Sequence, residues 1–178
     1  MRHRLRPELH RRRLTDITPE DIRGLGAKAI LLDADNTSSY DNTTTPLPGS
    51  EEWVQKMKEE GFQVLLLSNA KLDRAKVLAD QYNIPVVALA GKPFPFGFRR
   101  AGVKLRLVPE ETVMIGDQLF TDILGANRAH VHTIFVDRYQ KETRKPYWYP
   151  FIRTVETVVL FLQDAADWVR GKDTRENQ

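Results

Sequence analysis

The sequence contains no cysteine, and this absence excludes disulfide bridges, thiolate metal sites and a cysteine nucleophile. It also contains no apolar run near the ~20 residues that a membrane-spanning helix requires. The first residues are charged, but they lack the apolar stretch of a signal peptide. These absences fit a protein of the reducing cytoplasm. With 178 residues, 41% of them apolar and 29% charged, we expect a single soluble globular domain over residues 1–178.

Positive charge is concentrated in clusters, although the formal net charge is only +3. The basic N-terminal segment, residues 1–13, holds six arginines and one glutamate. Further basic clusters comprise Arg99, Arg100, Lys104 and Arg106, and then Lys141, Arg144 and Lys145. Such clusters suit an anionic partner, either a phosphate-bearing polymer or an acidic membrane surface. The alternative is that they are ordinary solvated surface.

Short apolar, β-branched runs alternate with helical patterns, which is typical of βαβ units and a mostly parallel sheet. The runs are almost continuously apolar, as expected for strands that are covered on both faces. The sequence therefore predicts an α/β fold with a five-stranded sheet. The predicted strands are Lys28–Asp33, Phe62–Leu67, Pro85–Leu89, Thr112–Gly116 and His132–Asp137.

Helix signals lie between these strands. Thr18 followed by Pro19 predicts the start of a short helix, and Ser50 is a candidate cap for the next one. Apolar spacing predicts further helices over residues 71–81, 95–107 and 119–129. The segment Ser38–Gly49 is rich in Thr, Asn and Pro, so we interpret it as a loop and not as an inserted domain.

Residues 138–178 combine an aromatic segment with a C-terminal amphipathic pattern. Tyr147, Trp148 and Tyr149 are consecutive and adjoin Lys145, a combination used at membrane interfaces. Apolar residues then recur at helical spacing, beginning at Val155. This helix packs on the sheet or on a second subunit in one interpretation, and it contacts a membrane surface in the other.

Two carboxylates stand at the end of the first predicted strand. Asp33 and Asp35 are two positions apart, and such residues in an extended chain point to the same side. In open α/β sheets, ligands bind at the carboxyl ends of the strands. Close carboxylates repel each other, and a bound cation or one raised pKa relieves this repulsion. The pair is therefore a candidate catalytic or metal site, unless Asp35-Asn36-Thr37 is merely a polar turn.

Four more polar side chains follow later predicted strands. Each could be a helix cap or a surface group if it stood alone. Because the carboxyl ends of parallel strands meet at one edge, the set would bring together a hydroxyl, a cation and further carboxylates. The set comprises Ser68, Lys92, Asp117 and Asp122.

These segments and their order resemble the haloacid dehalogenase superfamily of aspartyl-phosphate phosphotransferases. Its motifs match, in chain order, Asp33–Thr37, Ser68, Lys92 and Gly116–Asp122. The finer resemblance, over roughly residues 14–137, is to the YqeG-like phosphatases of subclass IIIA, through DNT, LLLSNA, GKP and VMIGDQLFTDILGANRA. Relatives in that family include phosphatidylglycerophosphate phosphatases, which remove the terminal phosphate of a phospholipid precursor. The resemblance implies a Rossmann-like three-layer core.

The resemblance also implies a Mg²⁺-dependent phosphomonoesterase with an aspartyl-phosphate intermediate. Asp33 would attack phosphorus, and Asp35 would protonate the leaving alcohol and then activate water. The metal ligands would be Asp33, the backbone carbonyl of Asp35, and Asp117. Phosphate would be bound by Ser68, Lys92 and the backbone near Asn69, with Thr37 and Asp122 in supporting positions.

The spacing between the motifs leaves no room for the cap domains that the superfamily inserts after the first and second motifs. We therefore expect an open site that admits a bulky substrate, such as a lipid head group. The basic and aromatic segments point to peripheral association with the inner face of an anionic membrane.

Two other hypotheses remain open. The same chemistry could act on a soluble ester such as a nucleotide or sugar phosphate. Alternatively, the fold could be a basic RNA- or ribosome-binding module. The intact set of Asp33, Asp35, Ser68, Lys92 and Asp117 argues against a nucleic-acid partner, because a binding module does not need all five. The sequence does not fix the oligomeric state.

Overall fold

The computed structural model of the protein describes residues 5–139 together with Val155 and Val158. The chain divides into two compact units, Met1–Lys141 and Glu142–Gln178. Val155 and Val158 are helical, as the apolar spacing predicts. The rest of that predicted helix and the Tyr147-Trp148-Tyr149 run lie outside the described residues, so the single-domain assignment of residues 1–178 stays a prediction.

One parallel sheet forms the centre of the first unit, with six strands among the described residues in the order β1-β6-β5-β2-β3-β4. The strands are β1 (Leu9–Arg11), β2 (Ala29–Leu32), β3 (Gln63–Leu67), β4 (Val86–Val87), β5 (Thr112–Gly116) and β6 (His132–Val136). The fold class and all five predicted strands are confirmed, but the number of strands is corrected from five to six.

The additional strand, β1, lies at the edge of the sheet and pairs with β6. It has only three residues, and His10 at its centre is exposed. Because edge strands are short and one-sided, β1 lacks the continuous apolar pattern by which the other strands are recognised.

The helices flank the sheet at the predicted places. They are α1 (Pro19–Gly24), α2 (Ser50–Glu59), α3 (Leu72–Gln81), α4 (Pro95–Leu105) and α5 (Leu124–Arg128). The predicted helix 119–129 is divided, since Leu119–Ile123 forms a π-helical turn before α5 begins. Short 3₁₀ turns occupy Leu14–Asp16 and Pro109–Glu111.

The N-termini of two helices show how local sequence determines where a helix begins. The predicted cap of α1 is confirmed, because the Asp21 amide donates to Thr18 Oγ1 at 3.2 Å and the Thr18 amide donates to Asp21 Oδ2 at 2.9 Å. The predicted cap of α2 is wrong, because Ser50 is already helical and Gly49 precedes it with φ 79°. Only glycine adopts this left-handed conformation without strain.

Apolar side chains cover both faces of the sheet, which gives the three expected layers. On one face, Ile30 and Leu66 pack in a cluster with Trp53 of α2. On the other face, Leu31 packs in a cluster with Phe98 of α4. Among the described residues, no helix combines the length and apolarity needed to cross a bilayer.

The topology brings the carboxyl ends of the central strands to one edge of the sheet. β2 lies between β3 and β5, and all three strands run in the same direction. Residues that follow these strands are therefore neighbours in space. Only a loop and α2 connect β2 to β3, and only α3 connects β3 to β4, so neither connection contains an inserted domain.

Candidate active site

Three of the predicted site residues follow the three central strands directly. Asp33 follows β2, Ser68 follows β3 and Asp117 follows β5. All three are buried, at 6%, 2% and 1% exposure respectively. Buried polar side chains need partners, so this edge of the sheet is organised around polar contacts and not around apolar packing.

Lys92 joins this group from the loop after β4. Its Nζ lies 2.6 Å from Asp33 Oδ1 and 2.7 Å from Asp122 Oδ1, and it donates to Leu67 O at 2.9 Å. The backbone of Lys92 is held by Asn69, whose side chain accepts from the Lys92 amide at 2.8 Å and donates to the Lys92 carbonyl at 3.1 Å. Asn69 therefore fixes the turn that delivers the ammonium group.

Asp33, Asp117 and Asp122 form an acidic cluster in which one carboxylate oxygen of each lies within 4.8 Å of the others. Asp122 is fully buried, and Gln118 donates its backbone amide to Asp122 Oδ2 at 3.1 Å. A side chain at Gly116 would overlap the Asp122 carboxyl group, so glycine at that position is required for the cluster.

This cluster fits a hard divalent cation such as Mg²⁺. Its donor atoms are carboxylate oxygens, which Mg²⁺ prefers, and three carboxylates exceed the single charge of Lys92. The family resemblance implies a supporting position for Asp122. In the structure, Asp122 lies within the acidic cluster and also pairs with Lys92.

Burial and mutual charge shift the pKa values of the ion pair at the centre. Burial raises the pKa of Asp33 to about 7; Lys92 opposes this shift, and the charges of Asp122 and Asp35 add to it. Burial alone would lower the pKa of Lys92, but Asp122 and Asp33 raise it above its ordinary value. Positive charge on Lys92 thus favours the ionised form of Asp33, but burial outweighs it and the pKa of Asp33 stays above its ordinary value.

Asp35 is held by Arg74, a residue that the sequence analysis missed. The Arg74 guanidinium donates to both Asp35 carboxylate oxygens, at 2.6 and 2.7 Å, and to Thr43 O at 3.2 Å. The hydrogen bond to Asp35 raises the pKa of Arg74. The Asn42 amide also donates to Asp35 Oδ1, at 2.8 Å. This bidentate pair fixes the carboxylate by geometry as well as by charge.

The loop after Asp33 is also tied down by groups outside the predicted set. Ser38 Oγ donates to Asp33 O at 2.7 Å, and the Tyr82 hydroxyl donates to Ser38 O at 2.5 Å. Thr37 is buried beside them at 2% exposure. Ser68 Oγ accepts from the Ala70 amide at 3.1 Å. The predicted site residues thus lie on elements whose positions are fixed by hydrogen bonds.

Comparison with known proteins adds independent findings. The model of the haloacid dehalogenase-like hydrolase family matches residues 9–130. The chain is 40% identical to the probable phosphatase YqeG of Bacillus subtilis over 120 residues, which are 67% of this chain and 70% of that protein. It is 30% identical to phosphoserine phosphatase of Thermus thermophilus over 127 residues, and it spans 51% of that longer protein.

Similarity to a solved structure agrees with the fold. The crystal structure of an uncharacterized protein from Listeria monocytogenes serotype 4b superposes with a TM-score of 0.54 at 21% identity, covering 77% of this chain and 99% of that one. This likeness supports the three-layer α/β architecture.

Proposed function

Because this chain belongs to the haloacid dehalogenase-like hydrolase family and is a phosphatase similar to YqeG, we propose that it hydrolyses phosphate monoesters with Mg²⁺ through an aspartyl-phosphate on Asp33. The observation that carries this proposal is the position of Lys92. Its ammonium group bridges Asp33 and Asp122, at 2.6 and 2.7 Å, within the acidic cluster. A nucleophile, a charge-neutralising cation and metal-binding oxygens therefore belong to one buried group.

The reaction has two steps. A carboxylate oxygen of Asp33 attacks phosphorus, and the bond from phosphorus to the ester oxygen breaks while Asp35, which enters this step in its protonated form, gives that oxygen its proton. A water that loses its proton to Asp35 then attacks the phosphorus of the aspartyl-phosphate. This second attack releases inorganic phosphate and restores Asp33.

The remaining residues bind and neutralise charge. Asp33, Asp117 and the backbone carbonyl of Asp35 would hold Mg²⁺, with Asp122 and Thr37 supporting them. The cation would supply positive charge at the transferring phosphoryl group, where catalysis depends mainly on positioning and electrostatics. Ser68, Lys92 and the backbone near Asn69 would hold the phosphoryl oxygens. The Asn69 side chain would act by fixing Lys92.

We propose a phospholipid head-group phosphate, such as that of phosphatidylglycerophosphate, as the substrate. In support, neither connection around the site contains an inserted domain, and the basic N-terminal segment suits an anionic lipid surface. A soluble phosphate ester is the second candidate. The name of the Thermus relative, phosphoserine phosphatase, favours this alternative.

A substrate panel separates the two candidates. We expect kcat/KM for phosphatidylglycerophosphate in mixed micelles to exceed that for phosphoserine, AMP and glucose 6-phosphate by at least about tenfold, as expected when a site recognises more than the phosphate. Released phosphate is measured in parallel for Asp33→Asn, which controls for contaminating phosphatases. A soluble ester that is preferred by the same factor would replace the lipid as substrate.

Arg74 is expected to position Asp35 for proton transfer. We predict that Arg74→Met lowers kcat on an alkyl phosphate such as glycerol 3-phosphate by at least about tenfold, because an alkoxide needs a proton to leave. The loss on p-nitrophenyl phosphate should be much smaller, since nitrophenolate leaves without one. Arg74→Lys should restore part of the alkyl rate by keeping one contact to the carboxylate.

Lys76→Met is the matched control for this experiment, since Lys76 also lies on α3 and pairs with the exposed Asp80 at 2.7 Å. It should leave both rates unchanged. Equal losses on the alkyl and aryl substrates in Arg74→Met would mean that Arg74 acts on the fold and not on proton transfer.

A further inference from the structure

We propose that a pocket beside the candidate active site is a subsite for a second anionic group of the substrate, an inference that rests on the proposed phosphatase function. The pocket has a volume of about 450 Å³. This lies within the range of about 300–1,000 Å³ that is typical of small-molecule sites. We call it the arginine pocket; its lining includes Arg12, Arg13, Arg138, Asn36, Thr37 and Leu47.

The topology of the sheet places the arginine pocket at the catalytic edge. Arg12 directly follows β1 and Arg138 lies just after β6, and these two strands are paired and parallel. The third wall is formed by Asn36 and Thr37, in the loop that follows Asp33. The Tyr139 amide donates to Asn36 O at 3.3 Å, which ties the segment after β6 to that loop. The pocket and the proposed nucleophile therefore share one loop.

The charge of the pocket favours an anion. Three arginines line it, Arg12, Arg13 and Arg138, against one residue that carries a carboxylate, Asp137. That carboxylate is already engaged, because Asp137 Oδ1 lies 2.7 Å from His10 Nε2. Guanidinium groups match phosphate oxygens in geometry and hydrogen-bond them in pairs. A phosphate or phosphodiester is therefore the anion that this lining suits best.

The buried wall of the arginine pocket contains a hydroxyl group that is available for hydrogen bonding. Thr37 is 2% exposed, and its hydroxyl has no hydrogen-bond partner within the part of the chain that the structure describes. Buried hydroxyls are normally paired, so an unpaired one on the wall of a basic pocket points to a ligand. The pocket thus combines exposed arginines with a buried hydroxyl group, that of Thr37.

The substrate class that follows is a monoester with a second phosphate on a short linker. The monoester phosphate would meet Asp33, and the second phosphate, as a diester, would occupy the arginine pocket. Binding at a point that does not react gives specificity and positions the reacting group. The soluble probe for this class is glycerophosphoglycerophosphate, which has both phosphates and no acyl chains.

The test compares this probe with glycerol 3-phosphate, which lacks the second phosphate. In the double variant Arg12→Gln/Arg13→Gln, we expect the ratio of kcat/KM for the two substrates to fall by at least about tenfold, mainly through KM. The matched control is Arg99→Gln/Arg128→Gln, which removes the same charge from two exposed arginines that do not line the pocket. The control should leave the ratio unchanged.

Three outcomes would overturn the subsite. The first is an equal loss of kcat/KM on both substrates, and the second is an equal loss in the control variant. The third is a loss seen only when acyl chains anchor the substrate in vesicles, which would assign the arginines to a membrane surface. Calorimetric binding of glycerophosphoglycerol, the diester alone, keeps the test independent of turnover. If the wild-type protein binds this diester and the double variant does not, the subsite stands even where no substrate is hydrolysed and the proposed function fails.

Discussion

Asp33→Asn is expected to lower phosphatase turnover by at least about a thousandfold, which is the scale seen when a catalytic nucleophile is removed. The amide has the same shape as the carboxylate, but it cannot attack phosphorus to form an acyl phosphate. Steady-state release of inorganic phosphate measures the loss. The matched control is Asp73→Asn, an exposed aspartate on α3, which should retain the wild-type rate.

The same substitution should leave the fold intact. Asp33 is buried and shares its surroundings with Asp117 and Asp122, so its ionised form is disfavoured there. Lys92 also contacts Asp122 at 2.7 Å, so we expect its ammonium group to retain a carboxylate partner when the Asp33 charge is removed. We therefore expect the free energy of unfolding, measured in EDTA, to be unchanged or raised. A folded variant with near wild-type turnover would exclude the aspartyl-phosphate mechanism.

Removal of divalent metal is expected to have the second largest effect. After dialysis against EDTA, activity should fall by at least about a hundredfold, because a cation at a phosphoryl group contributes several kcal/mol to the barrier. Mg²⁺ should restore the full rate, and Mn²⁺ should restore part of it. Ca²⁺ should inhibit, because it accepts 6–8 oxygen ligands at longer distances and would engage both Asp33 oxygens.

Two measurements check this requirement for metal. Thermal unfolding should show stabilisation by Mg²⁺ in the wild-type protein, since a ligand that binds only the folded state raises its stability. Asp117→Asn removes one proposed ligand and should weaken both this stabilisation and the apparent affinity for Mg²⁺ in turnover assays. Full activity in EDTA would exclude a metal-dependent reaction.

The edge of the sheet that carries the candidate active site could be predicted because it depends on strands with strong sequence patterns. β2, β3 and β5 are almost continuously apolar, and each is followed immediately by a polar residue of the candidate site. Parallel pairing of such strands then brings Asp33, Ser68 and Asp117 together with no further information. The ion pairs of Lys92 with Asp33 and Asp122 follow from the same topology, because the loop after β4 lies at the same edge of the sheet.

Contacts made by isolated side chains could not be predicted in this way. Arg74 reaches Asp35 across 39 positions of sequence, and no local pattern distinguishes it from other arginines on helix surfaces. β1 was missed because three residues at a sheet edge carry no periodic signal. The arginine pocket depends on the position of β1, so the pocket could not be predicted from the sequence either. The N-terminal arginines themselves are recognisable in the sequence as a basic cluster.

The pairing of β1 with β6 also constrains the order of folding during translation. The Glu8 amide donates to Thr133 Oγ1 across 125 positions. At a synthesis rate of about 5–20 residues per second, β1 leaves the ribosome roughly 6–25 s before its partner strand β6. An unpaired strand can recruit strands from other nascent chains, and flanking charges discourage this. The arginines on both sides of β1 are flanking charges of this kind.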